Sequence, residues 1–319
     1  MKFSLFSLIV PLVLLISKTE TLKAQKKYTK EIGLISENDL YTSLYYDRYY
    51  TNGTFIYFRF LDKNSHRNKK IHELSINHKM YTPNFANSFS IEDIDRPYAG
   101  YIFAKYSQQI FSKNNFSLKS SFEIGILGPD AIAQDLQNLI HKIYGFRPAE
   151  GWQYQIRNTL GLGVGFTLLK PFNKTPKKHI DFTSSSELKL GTILSELNIA
   201  VYTRMNLFNS YLNPYSNSTL FSSNLNPVTK TQKKELFLFL KPQIGLAFYN
   251  ATIQGSLFNQ NSPVVFGINS FIYEIEFGIK YALNRFDLSY SIIKYSKRTH
   301  TIKANNSNYG SIIIGYKFN

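Results

Sequence analysis

His141 stands four residues after Gln137, so on a helix its imidazole and the amide share one side, one turn apart. A histidine titrates near neutrality and can take a proton from water, while an amide one turn away can orient that water or a substrate. Two further clusters, Glu37-Asn38-Asp39 and the run from Asp47 to Thr51, are rich in oxygen donors. Asp39, with side-chain or backbone oxygens of Asn38 and Thr51, makes a set that a hard cation such as Ca²⁺ would accept. An activated water and a Lewis acid together suffice to hydrolyse an ester. Each group also has a purely structural reading. Asn38-Asp39 could close an Asx-type turn, Tyr50 to Gly53 could be a turn, and Asp95-Arg96 could be a rim salt bridge. The histidine could lie on a helix face that is merely solvated. A serine nucleophile has less behind it, because there is no GxSxG and no serine adjoins His141.

The element that must carry Gln137 and His141 lies between Gly128 and Trp152. Ile132, Leu136, Leu139, Ile140 and Ile143 recur along one side of a short helix, with Gln134, Gln137, Asn138 and His141 opposite. Asp130 is the expected N-cap and Gly145 the expected stop.

The rest of the chain alternates with period two. Ile312, Ile314, Tyr316 and Phe318 share a face, as do Phe271, Tyr273, Ile275, Phe277, Ile279 and Tyr281, against Glu274, Glu276 and Lys280. Such stretches, with charges on the second face, fit an all-β, antiparallel transmembrane β-barrel with lipid outside and a polar lumen. A soluble sandwich would tolerate the alternation, but its strands are usually shorter. About twelve strands are predicted, near 29–38, 51–62, 71–81, 98–112, 116–128, 152–171, 179–192, 194–207, 233–250, 268–282, 285–297 and 307–319. Pro242 forfeits a ladder donor inside the ninth, which predicts a bulge there. With a periplasmic N-terminus, the odd-numbered connections are extracellular, and every polar cluster named above falls at that rim.

Residues 1–24 read as a signal peptide: Lys2, the apolar run Phe3–Ile16, then Leu22-Lys23-Ala24 before the cut, which leaves residues 25–319 as the barrel. The chain holds 37 Lys and Arg against 21 Asp and Glu, a net +16, and no cysteine. Disulfide and thiolate chemistry are therefore excluded. The charge fits an anionic partner, yet no nucleic-acid module is present.

Three segments carry a resemblance. Ser36–Gly53 (SENDLYTSLYYDRYYTNG), Asp93–Tyr101 (DIDRPYAGY) and Gly128–Ile156 (GPDAIAQDLQNLIHKIYG…GWQYQI) are similar to the lipid A 3′-O-deacylases, and Asn250–Ser256 (NATIQGS) resembles a further family segment. The similarity is strong over Ile32–Leu160 and mostly barrel pattern thereafter. It implies a twelve-stranded barrel of the bacterial outer membrane, with its active site at the extracellular side. The implied activity is release of an ester-linked acyl chain from lipid A of lipopolysaccharide, with Ca²⁺ required and outer-membrane lipids around the protein. Carried over by position, the family's Asn-Asp pair falls on Asn38 and Asp39, its turn threonine on Thr51, and its helix Gln and His on Gln137 and His141. The implied catalytic set is His141, Gln137, Asn38 and Thr51, and the implied metal set Asp39, Asn38 and Thr51. Two positions depart: a family lysine reads Ser88, and a glutamate six residues past the histidine reads Arg147, with Glu150 close by. The competing readings are a non-catalytic barrel, either pore or structural protein, and an outer-membrane phospholipase.

Overall fold

The computed structural model describes residues 28–42, 48–62, 69–84, 90–112, 116–172, 179–208, 212–213, 225, 234–304 and 307–319. The segment 1–24 expected to be a signal peptide, Ser88 and nearly all of the connection near 207–233 lie outside them. Twelve strands form: β1 (Lys30–Asn38), β2 (Tyr49–Leu61), β3 (Lys69–Thr82), β4 (Ala99–Phe111), β5 (Ser117–Leu127), β6 (Thr159–Pro171), β7 (Ile180–Gly191), β8 (Leu194–Asn206), β9 (Lys234–Asn250), β10 (Phe271–Leu283), β11 (Phe286–Tyr295) and β12 (Ser307–Phe318). Each pairs antiparallel with its sequence neighbours, and β1 pairs with β12 to close the barrel. Closure leaves no strand edge unpaired, the condition for a sheet in hydrocarbon.

Register turns the period-two pattern into rows around the wall. Leu34, Ile56, Ile76, Ala104, Ile124 and Leu162 stand side by side on five ladders. All six are exposed, which is how an apolar exterior reads when lipid is the solvent. Their neighbours turn inward and pair. Arg59 bridges Glu31 and Glu73, Lys119 reaches Glu73 at 2.9 Å, and Lys317 meets Asp287 at 3.1 Å. Among the described residues no helix is long and apolar enough to cross a membrane.

Several expectations are corrected. β6 begins at Thr159 rather than near 152, because Trp152–Tyr154 forms a 3-10 turn. No bulge occurs at Pro242: the β8–β9 register is the same at Ala200–Gln243 and Thr203–Leu240, and the ladder simply skips the pairs between them. The missing N–H is absorbed by omission, without an inserted residue. Bulges lie instead at Tyr50/Asn52 and Ser195/Glu196. The purely structural alternative for Asp95 and Arg96, a mutual salt bridge, is not formed either. The Asp95 carboxylate accepts from Tyr49 Oη (2.9 Å) and the backbone N–H groups of Asn84 (2.8 Å) and Lys303 (2.9 Å). Arg96 donates to Thr252 Oγ1 at 2.9 Å and lies 4.2 Å over the Tyr81 ring, and its burial lowers the guanidinium to about 10. Thr252 belongs to the short helical turn Ala251–Gln254, and its N–H is capped by Asn250 Oδ1. Asp95 and Arg96 thus tie three connections and the start of β2 together at the mouth of the lumen.

Candidate active site

One helix, α1 (Ala133–Tyr144), positions Gln137 and His141. Its start differs from expectation. Asp130 does not cap it; Pro129–Ala131 makes a separate 3-10 turn, and Ile132 occupies the cap position with φ +55°. Its end agrees: Gly145, at φ +73°, turns its N–H back onto the carbonyls of His141 and Lys142.

The orientation of α1 is the larger correction. Leu139 and Ile143 are 55% and 71% exposed, while Gln137 and His141 are buried at 2% and 7%. The packed stripe runs through Ala133, Gln137 and His141, so the histidine does not lie on a solvated face. The helix sits against the outer side of the wall, as strand parity requires. Tyr101 and Phe103 line the lumen, so Gly100, Ile102 and Ala104 point outward. A Cβ at Gly100 would lie 2.5 Å from the Ala133 Cβ, so the helix rests directly on that strand. Met80, opposite Gly100, packs with Ala133, Leu136, Tyr98 and Trp152. His78 Nε2 donates to the Ala131 carbonyl at 2.9 Å and fixes the turn ahead of the helix.

Within this frame both the Gln137 and the His141 side chains are held. Trp152 Nε1 donates to Gln137 Oε1 at 2.7 Å, so what Gln137 offers beyond the indole is an N–H donor. His141 Nδ1 donates to the Arg147 carbonyl at 2.6 Å. In the neutral imidazole that bond places the proton on Nδ1 and makes Nε2 the basic nitrogen. The Phe146 ring stands edge-on to the imidazole, 5.7 Å away. At residue 147, where the expected glutamate is replaced, the main chain orients the histidine. Glu150 contributes its carbonyl to Tyr98 Oη at 2.8 Å.

The oxygen-rich group lies along the same outward row. Asn38, Asn52, Met80 and Gly100 are successive partners on neighbouring strands. Thr51 is the extra residue of the β2 bulge, since Tyr50 faces Tyr81 and Asn52 faces Met80. The bulge turns its hydroxyl to Thr82 Oγ1 at 2.7 Å, a re-aiming that bulges commonly provide beside sites. Asp39 is buried at 1% in the turn Asp39–Thr42, with Oδ2 accepting from Arg48 N at 2.7 Å. Asn38 Oδ1 accepts from Leu40 N at 2.8 Å, so the Asx-type turn is real as well. The set is all oxygen and fits a hard cation in kind, with one carboxylate. Among the described residues no group of three or more His, Cys, Asp or Glu gathers for a metal. Sequence reasoning did not assign Met80, Gly100, Thr82 or Trp152, although Gly100 and Trp152 fall inside the motifs quoted for the resemblance.

Fold and site define a class: an outer-membrane β-barrel whose polar site sits on the lipid side of the wall, under a helix, rather than in the lumen. The chain belongs to the LpxR family, since the family model described as outer membrane protein LpxR matches residues 6–318. That membership implies lipid A deacylation in the outer membrane. Among solved structures, LpxR from Salmonella typhimurium superposes with a TM-score of 0.71 at 20% identity, covering 90% of this chain and 100% of that one. The β domain of the Bordetella autotransporter BrkA is a more distant barrel, at TM-score 0.46 and 8% identity over 92% of this chain and 100% of that one. No curated protein sequence matches the chain.

Proposed function

We propose that this barrel hydrolyses the 3′ ester-linked acyl chain of lipid A, with His141 as general base for the attacking water. The single observation behind the histidine's role is its bond from Nδ1 to the Arg147 carbonyl, which presents Nε2 as the proton acceptor. Gln137, held through its oxygen by Trp152, donates an N–H to the water or to the ester oxygen. Asp39, Asn38 and Thr51 would hold Ca²⁺, which when bound supplies a Lewis acid for the carbonyl oxygen. Asn38 and Thr51 also fix the wall side of the cleft. The rim that carries α1 faces the exterior of the cell, where lipopolysaccharide is the outer-leaflet lipid. Residues 1–24 are removed on export, and the positive charge of the chain favours the phosphorylated headgroup.

The test is acyl release from purified lipid A by folded, matched variants. His141→Ala should slow release by roughly 10²–10⁴-fold, and His141→Asn nearly as much. Gln134→Ala, on an exposed helix position, is the control and should keep the parental rate. Release at the parental rate by His141→Ala would remove the histidine from the mechanism. Release from phospholipid but not from lipid A would make the protein a phospholipase, and no release from either would make it a non-catalytic barrel.

A further inference from the structure

The lipid-facing wall beneath the site is not uniform. Outward rows descend from the rim in steps of two residues: Asn38–Asn52–Met80–Gly100, then Ser36–Thr54–His78–Ile102, then Leu34–Ile56–Ile76–Ala104–Ile124. In the third row every side chain is a leucine or isoleucine except Ala104. The next row down, Leu74–Tyr106–Phe122, is large again. One small residue among bulky ones leaves a notch, and a groove of about 430 Å³ opens there in the outer wall. Ile76 and Ile124 flank it, at 64% and 47% exposure, with Leu74, Tyr106 and Phe122 at its lower end.

The groove lies on the same outward line of β4 as Gly100, the residue on which the site helix rests. Gly100 and Ala104 are four residues apart, roughly 13 Å along a strand. Its walls are almost entirely apolar and its position is on the membrane side of the barrel, the environment that suits an acyl chain. Bulk lipid reaches every part of the wall equally. A lipid held by its headgroup at the rim has its chains delivered to this particular depth, on this particular strand.

We propose that the Ala104 groove seats an acyl chain of the lipid A molecule bound at the His141 site, so that Ala104 sets which chains fit. The inference rests on the proposed lipid A substrate, and its test reads binding rather than turnover. Protein in phosphatidylcholine vesicles is labelled with lipid A whose acyl chains end in a photoreactive diazirine, and cross-links are mapped by mass spectrometry. A second arm uses phosphatidylcholine bearing the same probe.

The lipid A probe should label β3–β5 around Ala104 in preference to the far wall at Ile244 and Phe277. The phosphatidylcholine probe should label both walls alike. Ala104→Trp should cut the lipid A labelling of β3–β5 roughly tenfold, the low end for a hydrophobic pocket because membrane lipid competes for the surface. Ala104→Leu, a milder filling, should give a partial loss, and both variants should keep the heat-dependent gel mobility of a closed barrel. Lipid A labelling spread evenly around the barrel, or unchanged by both substitutions, overturns the proposal. Localised labelling by phosphatidylcholine as well would make this a general lipid groove and overturn it too. Localised lipid A labelling by a protein that releases no acyl chain would refute the hydrolase reading while keeping the groove.

Discussion

Gly100→Ala is the sharpest test of how the site is assembled. The added methyl would lie 2.5 Å from the Ala133 Cβ and 3.3 Å from the Ala131 Cβ. Carbon atoms rest at about 3.5–4.0 Å, so the start of α1 must lift by about 1–1.5 Å. The glycine carries no left-handed backbone angle, so alanine meets no conformational penalty there. The wall itself should lose no stability, because replacing glycine where alanine is allowed typically adds about 0.4–1 kcal/mol. Catalytic geometry is less forgiving, since a 1 Å misplacement can cost about 10²-fold in rate. Gly100→Ala is therefore expected to lower acyl release about 100-fold while the barrel keeps its heat-dependent mobility. The lift has its own reporter. Trp152 is the single tryptophan of the chain, fully buried beneath the helix and bonded to Gln137, so its emission should shift to the red as α1 rises. Parental activity with unchanged Trp152 emission would refute the direct seating of the helix on β4.

Other perturbations separate the parts of the site. Asp39→Asn keeps an acceptor for Arg48 N but drops the charge, so acyl release should fall sharply, as it should when the parent is treated with a chelator. Full parental activity in excess chelator would end the Ca²⁺ proposal. Arg147→Ala should leave the rate near parental, because the carbonyl and not the side chain holds His141; a loss comparable to His141→Ala would show that the side chain matters. In the lumen, Arg59→Met strands Glu31, which is fully buried, and should destabilise the barrel by about 3–5 kcal/mol. Denaturant unfolding in detergent measures this, and an unchanged midpoint would mean that lumen water already compensates the carboxylates.

The wall of this protein was legible in the sequence because alternation is local. A strand with Phe, Ile and Tyr on one side and Glu and Lys on the other declares its two solvents residue by residue, and eleven of the twelve predicted strands begin within three residues of those observed. The exception, β6, failed because Trp152–Tyr154 continues an apolar pattern without pairing. The identities of Asn38, Asp39, Thr51, Gln137 and His141 were equally available from motif and resemblance. What they touch was not. A helical wheel has two faces, and only the surroundings say which is inside. Here the usual assignment inverts at these positions, so Leu139 and Ile143 face out while Gln137 and His141 are buried. Thr51 owes its orientation to one extra residue in β2 relative to β3, and His141 to a carbonyl brought back by the turn at Gly145. The seat at Gly100 and the notch at Ala104 exist only because register sets them beside Met80, Ile76 and Ile124. Periodicity is carried by each segment alone, whereas contact depends on which segments the closed barrel makes neighbours.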